Sequence, residues 1–510
     1  MYIGDYLDRR TIYSPDELAI VDTGKTPELR LSFAQLNERA NRLANALREV
    51  AGVGKGDRVA ILALDGVEHL DLLFACGKLG AIHTALNWRL HWRELQQILA
   101  EVTPTVLLYD TAMQASVAEL AQADTPVRHW IHLDGTGVPD SRHYGDLLDA
   151  AAATPCRCET LIEDDIAAIV FTGGTTGLPK GAQISHGQIA WNCLNTLIHD
   201  LSRGDIYLNV FPMFHVGGLF VYTLPQVIVG GTTVLLKRFD PERVLRLIEQ
   251  ERVSVFAAVP AMYQMLTQTA AWAEANLASL RFCTSGGAPL PVPLVEQYTE
   301  QKGIRFKQGF GMTEFGPGLF ALAPEDAIRK AGSIGRPNFY IDARIVGPDN
   351  QPLGPNQVGE LVLKGPSIAA GYFNNAAAWA RVIDAEGWFH TGDLARYDEE
   401  WYFYIVDRLK DMFISGGENV YPAEIEAALY RHPAVFQCAV IGVPDPKWGE
   451  VGKAFVVLKP EQTATAEELL AHLGDHLARY KIPRSIEFTA SLPISPAGKV
   501  LRRELRQLQA

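Results

Sequence analysis

The run Thr172-Gly-Gly-Thr-Thr-Gly-Leu-Pro-Lys-Gly181 gathers small residues, three hydroxyls and a lysine into one short stretch. Glycines let backbone N–H groups approach phosphate oxygens closely, the hydroxyls of Thr172, Thr175 and Thr176 can donate to them, and Lys180 supplies positive charge. The pattern therefore predicts a phosphate cradle. It is not a Walker A loop, which needs a glycine directly before its lysine and Ser or Thr after it; here Pro179 precedes Lys180 and Gly181 follows. A flexible Gly/Thr turn is the plain alternative. The apolar run Ile166-Ala-Ala-Ile-Val-Phe171, which reads as a buried strand feeding the loop, favours the cradle.

The elements that must position this loop alternate. Ser32-Phe-Ala-Gln35 reads as a capping box opening a helix whose apolar residues Leu36, Ala40, Leu43, Ala44 and Leu47 recur at helical spacing. The turn from Gly52 to Gly56 leads into a strand at Val59-Ala-Ile-Leu-Ala63 and then a helix near Leu70 to Leu79. Alternation of this kind continues to about residue 310, the pattern of an α/β fold with a largely parallel sheet. From about 331 short alternating runs at 342–346, 359–363 and 401–406 predict a small β-rich, barrel-like subdomain. Residues 1–407 are thus expected to form a large N-terminal domain of layered α/β subdomains. Residues 408–411 are expected to act as a hinge and 412–510 as a small mobile α+β domain, because a short charged joint suits a hinge better than a loose tether.

Composition narrows the function. The chain has 510 residues, with 46 basic against 59 acidic side chains and a formal net charge of −13, which disfavours a nucleic-acid binder because such proteins need a basic face. A few local donors can still bind a small polyphosphate against that field. The six cysteines are scattered without the spacing of a disulfide framework, and Cys156 with Cys158 reads as a surface loop rather than a metal site. The opening MYIGDYLDRR lacks a basic region followed by an apolar one, the apolar stretch 217–229 is interrupted by Pro225, and RQLQA is no peroxisomal address. A cytoplasmic protein without integral membrane association is expected, its oligomeric state left open with a homodimer among the alternatives.

The loop is similar to the TSGTTG-x-PKG signature of the adenylate-forming superfamily, which includes acyl-CoA synthetases, firefly-type luciferases and peptide-synthetase adenylation domains; Gly173 stands where serine is usual. Further matches follow in the family's order: Pro212-Met-Phe-His215, Ser285-Gly-Gly-Ala-Pro-Leu290, Gln308-Gly-Phe-Gly-Met-Thr-Glu314, Thr391-Gly-Asp393, Asp407-Arg408-Leu-Lys410 and Pro493-Ile-Ser-Pro-Ala-Gly-Lys499. The resemblance covers essentially the whole chain.

The resemblance implies an ATP-dependent acid–CoA ligase that uses Mg²⁺ and coenzyme A. It assigns the phosphates to Thr172, Gly173, Gly174, Thr175, Thr176, Gly177 and Lys180, and the rest of the nucleotide site to Gly287, Ala288, Pro289, Gln308, Gly309, Phe310, Gly311 and Met312. Glu314 is the implied Mg²⁺ ligand, and Thr313 beside it contacts a phosphate. Phe310 occupies the usual tyrosine position, whose ring packs on adenine, so the missing hydroxyl removes one hydrogen bond and leaves stacking. Asp393 accepts from the ribose hydroxyls, with Arg408 reaching the same sugar from the joint. His215 gates the acyl channel or positions the substrate carboxylate, with a buried structural histidine as the alternative. The stretch 256–263 and the turn Gly316-Pro-Gly318 line an acid pocket that is mostly apolar or small. In the small domain Gly416 and Gly417 line the pantetheine tunnel, and Lys499 serves the first half-reaction.

The chemistry implied is attack of a carboxylate on the α-phosphorus of ATP with release of pyrophosphate, followed by transfer of the acyl group to the thiol of coenzyme A. The substrate class is a fatty, aryl or alicyclic carboxylic acid. Two alternatives are an adenylate-forming enzyme that delivers to a carrier protein and a non-catalytic sensor of acyl-adenylate or nucleotide. Retention of Lys180, Glu314, Asp393, Arg408 and Lys499 argues against the sensor, and no carrier segment is seen after residue 510.

Overall fold

Ser32 caps the helix Phe33–Ala51 as the sequence predicts: Gln35 N donates to Ser32 Oγ, and Ser32 N donates to Gln35 Oε1. Gly52, at φ +65°, ends that helix in the left-handed conformation that suits a residue without Cβ. The structure, a computed structural model, describes residues 2–172, 179–288, 290–415, 418–494 and 500–507. Strand Arg58–Leu62 follows, and then helix Val67–Leu79, every residue of which is buried. A helix apolar on most of its circumference has to lie between layers, and this one does.

Among the described residues the large region holds two sheets, as a domain of layered α/β subdomains should. In a nine-stranded sheet, Phe306–Gly311, Phe282–Ser285, Val255–Ala258, Ile206–Asn209, Thr232–Leu235 and Leu18–Asp22 lie side by side and parallel, with antiparallel strands at both edges. An eight-stranded sheet has a parallel body around Arg58–Leu62, Ile82–Ala85 and Val106–Tyr109, and Ile166–Thr172 joins it in parallel beside Ile82–Ala85. One core of buried side chains joins them, with Ile20 and Leu235 from the first sheet, Val170 and Ile184 from the second, and Leu70 and Phe74 from the helix between. Parallel strands buried on both faces read as continuous apolar runs, and this is why local pattern could not divide them between two sheets.

A four-stranded antiparallel sheet follows, made of Asp342–Val346, Gly359–Lys364, Phe389–Tyr397 and Phe403–Arg408. Its last strand starts two residues later than the alternating run suggests, because Trp401 sits in the preceding turn at φ +65°. The segment Gly371–Tyr372 leaves this region and pairs with Lys180–Ser185 at the edge of the eight-stranded sheet. The remaining residues build a sheet dominated by the long antiparallel pair Val435–Asp445 and Gly449–Leu458, covered by helices Pro422–Leu429 and Ala466–Gly474.

All six cysteines are free thiols. Cys156 is buried and not on the surface as expected, with Arg48 Nη1 donating to its Sγ. Among the described residues no helix is long and apolar enough to cross a membrane.

Candidate active site

Residues 173–178 of the expected phosphate loop lie outside the described residues, as do Pro289, Gly416, Gly417 and Lys499. Strand Ile166–Thr172 and strand Lys180–Ser185 pair antiparallel with Thr172 opposite Lys180, and Thr172 Oγ1 donates to Lys180 O at 3.3 Å. The run therefore connects two neighbouring strands, unlike a Walker A loop, which opens a helix.

Lys180 Nζ stands 4.8 Å from the centroid of the Tyr372 ring. The Tyr372 hydroxyl donates to Glu314 Oε1 at 2.6 Å. Burial, then the Glu314 carboxylate, push the Tyr372 phenol well above its ordinary range, so it remains a donor. Glu314 lies in the one-turn helix Thr313–Phe315, and both Thr313 and Glu314 are buried. That turn is pinned through the Glu314 carbonyl, which accepts from Ala369 N at 2.6 Å and from Gln188 Nε2 at 3.4 Å.

Gln308 to Gly311 form the carboxyl end of strand Phe306–Gly311, the end at which ligands bind in parallel α/β sheets. Gly311 is required by space: a Cβ there would stand 1.8 Å from Pro317 O. Met312 N donates to the same oxygen at 3.2 Å, fixing the turn that presents Thr313 and Glu314. Phe310 is half-buried with its ring edge-on to Phe320 at 5.8 Å. Gly287, at φ +80°, and Ala288 lie exposed just after strand Phe282–Ser285. His215 precedes a π-helical turn at Gly217–Val221, a distortion frequent at functional sites, and its Nδ1 accepts from Gly217 N at 3.0 Å.

On the four-stranded sheet Asp393 sits directly opposite Arg408, and Arg408 Nε is 2.6 Å from Asp393 Oδ1. The Thr391 hydroxyl donates to Leu361 O and accepts from Asp393 N, while Gly392, at φ +68°, donates to Glu360 Oε1. This sheet shares a core with the Glu314 turn, in which Phe315, Phe320, Leu361, Ala395 and Phe403 pack together with Phe310 and Met312 against them. Lys180 and Glu314 are thus both brought to Tyr372, and the strands that carry Asp393 and Arg408 share a core with the Glu314 turn.

Just before residues 408–411, Asp407 accepts from Ala423 N at 3.0 Å, at the start of helix Pro422–Leu429, and burial pushes its carboxyl up to about 6. Asp411 is held by Arg506 at 3.0 Å and Arg502 at 3.4 Å, and Arg502 also grips both oxygens of Glu426. Leu409 between them is exposed.

Among the described residues no group of three or more His, Cys, Asp or Glu converges as a metal cage. Glu314 offers one carboxylate; its Oε1 is engaged by Tyr372, and no described residue donates to Oε2. A single buried carboxylate fits Mg²⁺, which takes one or two protein carboxylates and fills its shell with water and substrate phosphates. Sequence reasoning missed Tyr372, Gln188 and the Ala369 amide. The only available signal for the tyrosine was the Gly-Tyr pair itself at 371–372.

The AMP-binding enzyme family model matches residues 7–373, and that of the AMP-binding enzyme C-terminal domain matches residues 424–499. Feruloyl-CoA synthase of Amycolatopsis sp is 43% identical over 506 residues, covering 99% of this chain and 98% of the relative. Indoleacetate–CoA ligase of Aromatoleum aromaticum is 38% identical over 520 residues, covering 100% and 98%. Among solved structures, o-succinylbenzoate CoA synthetase from Bacillus subtilis in complex with ATP and magnesium ion superposes with a TM-score of 0.86 at 32% identity, covering 98% of this chain and 99% of that one. The two family models together span most of the chain and make it an adenylate-forming enzyme. The chain belongs to the AMP-binding enzyme family, on its acid–CoA ligase branch.

Proposed function

We propose that this chain activates an apolar-bodied carboxylic acid with ATP and transfers the acyl group to coenzyme A. The observation that carries the reading is that Tyr372 contacts both the buried Glu314 carboxylate and Lys180, the lysine of the Gly/Thr-rich run. In the first step a carboxylate oxygen bonds to the α-phosphorus while the bond to the β-bridging oxygen breaks, giving acyl-adenylate and pyrophosphate. Lys180 binds the phosphates, Thr313 donates to one of them, and Asp393 with Arg408 holds the ribose. Lys499 offsets charge where carboxylate and α-phosphate meet. Glu314 would hold Mg²⁺, which would supply neutralisation of phosphate charge. In the second step the coenzyme A sulfur bonds to the acyl carbon, the C–O bond to phosphate breaks and AMP leaves, with the thiol proton passing to solvent.

The joint at 408–411 is proposed as the pivot between the steps, separating a region over 1–407 from one over 412–510. Asp407 just before it and Asp411 at its end are both held, and the exposed Leu409 between them can turn without breaking a core. ATP and coenzyme A are abundant in the cytoplasm, where six free thiols also remain reduced, so that compartment suits the reading. The two curated relatives named above act on aromatic acids by name, so a substrate panel starts with hydroxycinnamic and indoleacetic acids and extends to fatty acids. Acid-dependent formation of thioester and AMP supports the proposal. Hydrolysis of ATP to ADP, or no thioester with any acid, refutes it.

A further inference from the structure

Tyr372 stands between two charges that the proposed reaction needs apart. Its hydroxyl donates to Glu314 Oε1 at 2.6 Å, and Lys180 Nζ lies 4.8 Å from its ring centroid. No ion pair among the described residues joins Lys180 to Glu314 directly. Opposite charges away from bulk water attract strongly at contact distance. A lysine collapsed onto Glu314 would offer neither an available cation to phosphate nor a charged oxygen to a metal ion.

We infer that Tyr372 is a positioning residue of the adenylation site: it orients Glu314 through its hydroxyl, holds Lys180 over its ring face, and blocks the ion pair between them. Its own placement is fixed from several sides. In the two-residue strand Gly371–Tyr372 it sits opposite Ala182; Phe373 N donates to Gly181 O at 2.7 Å and Ala370 N to Gln183 O at 3.0 Å. The ring packs edge-on against Trp379 at 5.2 Å, and Ala369, three residues earlier, donates to the Glu314 carbonyl. One short segment therefore aligns the lysine strand with the glutamate turn. The inference rests on reading Glu314 as the metal-binding carboxylate.

Tyr372→Phe keeps the ring and deletes the donor, whereas Tyr372→Leu deletes both. Mn²⁺ binding to the chain with ATP, read by water-proton relaxation, measures the metal site without turnover. Tyr372→Phe should weaken Mn²⁺ binding about tenfold or more, as expected for loss of a charge-assisted hydrogen bond, and leave metal-free ATP affinity unchanged. Tyr372→Leu should also weaken metal-free ATP binding, and adding Glu314→Gln should restore that part, since the collapsed pair needs the carboxylate. Wild-type Mn²⁺ affinity in Tyr372→Phe, with Glu314→Gln weakened, overturns the positioning role and leaves the metal reading standing. Unchanged affinity in Glu314→Gln overturns both. Thermal unfolding without ligand checks each variant, and if Tyr372→Leu does not fold, Tyr372→Phe decides alone.

Discussion

Arg408 and Asp393 face each other across an antiparallel strand pair, with Nε 2.6 Å from Oδ1, and the guanidinium is well exposed whereas the carboxylate is buried. In the proposed site a buried carboxylate paired with an exposed guanidinium can turn to ribose hydroxyls without reorganising its own backbone. Thr391, Gly392 and Glu360 hold that backbone, and Arg408 Nη1 adds a donation to Thr391 O at 3.4 Å.

Asp393→Ala should therefore weaken ATP binding far more than acid binding, with about 1.5–3 kcal/mol at most lost for each ribose hydrogen bond to the charged acceptor. Separate titrations with ATP and with acid check this. Equal losses for both ligands would make Asp393 a purely structural residue.

Glu314→Gln removes a charge and little volume. Pyrophosphate release should need about ten- to hundredfold more Mg²⁺, while the unfolding midpoint stays close to wild type. A Mg²⁺ titration of the first half-reaction reads the shift directly, and an unchanged rate at limiting Mg²⁺ counts against the assignment.

Part of the candidate site stands out in the sequence for a chemical reason. A loop proposed to admit phosphate needs small residues and a cation in one run, as 172–181 has, and Gly311 cannot carry a side chain beside Pro317. Tyr372 was not legible, because its partner Glu314 lies 58 residues away and a lone Gly-Tyr pair has no periodicity. The division into two sheets was hidden for the same reason: His83 pairs with Ala168 across a long separation that no local pattern records. The shift of the last strand of the four-stranded sheet arose from Trp401, whose aromatic ring imitates a strand residue while its backbone turns.

His83 should make stability pH-dependent. It is fully buried, neither ring nitrogen has a partner among the described residues, and burial lowers its pKa to about 3. Below the ordinary value of 6.5 the unfolded chain takes up a proton that the folded chain refuses, so this contribution to stability is complete above 6.5 and is lost as pH falls toward 3. By pH 4 the loss from this one group is about 3 kcal/mol. His83→Leu should lose correspondingly less stability between pH 7 and pH 4 in denaturant titrations; parallel curves for variant and wild type would contradict the assignment.

Lys499→Ala should slow acyl-adenylate formation by roughly 3–4 kcal/mol, about a hundredfold or more, and spare thioester formation from supplied acyl-adenylate. Gly417→Leu should do the reverse, by filling the passage proposed for pantetheine. Lys410→Pro, which stiffens the proposed pivot and restricts Leu409, should behave like Gly417→Leu if the resting arrangement is the adenylating one. Single-turnover assays of each half-reaction separate the three, and depression of the same step by Lys499→Ala and Gly417→Leu would contradict the two-step use of one small domain.

The most direct test of the central claim is a rapid-mix experiment in which enzyme, ATP, Mg²⁺ and an accepted acid are combined without coenzyme A and then chased with it. The two-step account predicts a burst of about one pyrophosphate per active site that requires the acid, followed on the chase by acyl-CoA and AMP in equal amount. Pyrophosphate release that ignores the acid, or a burst absent until coenzyme A is present, would contradict it.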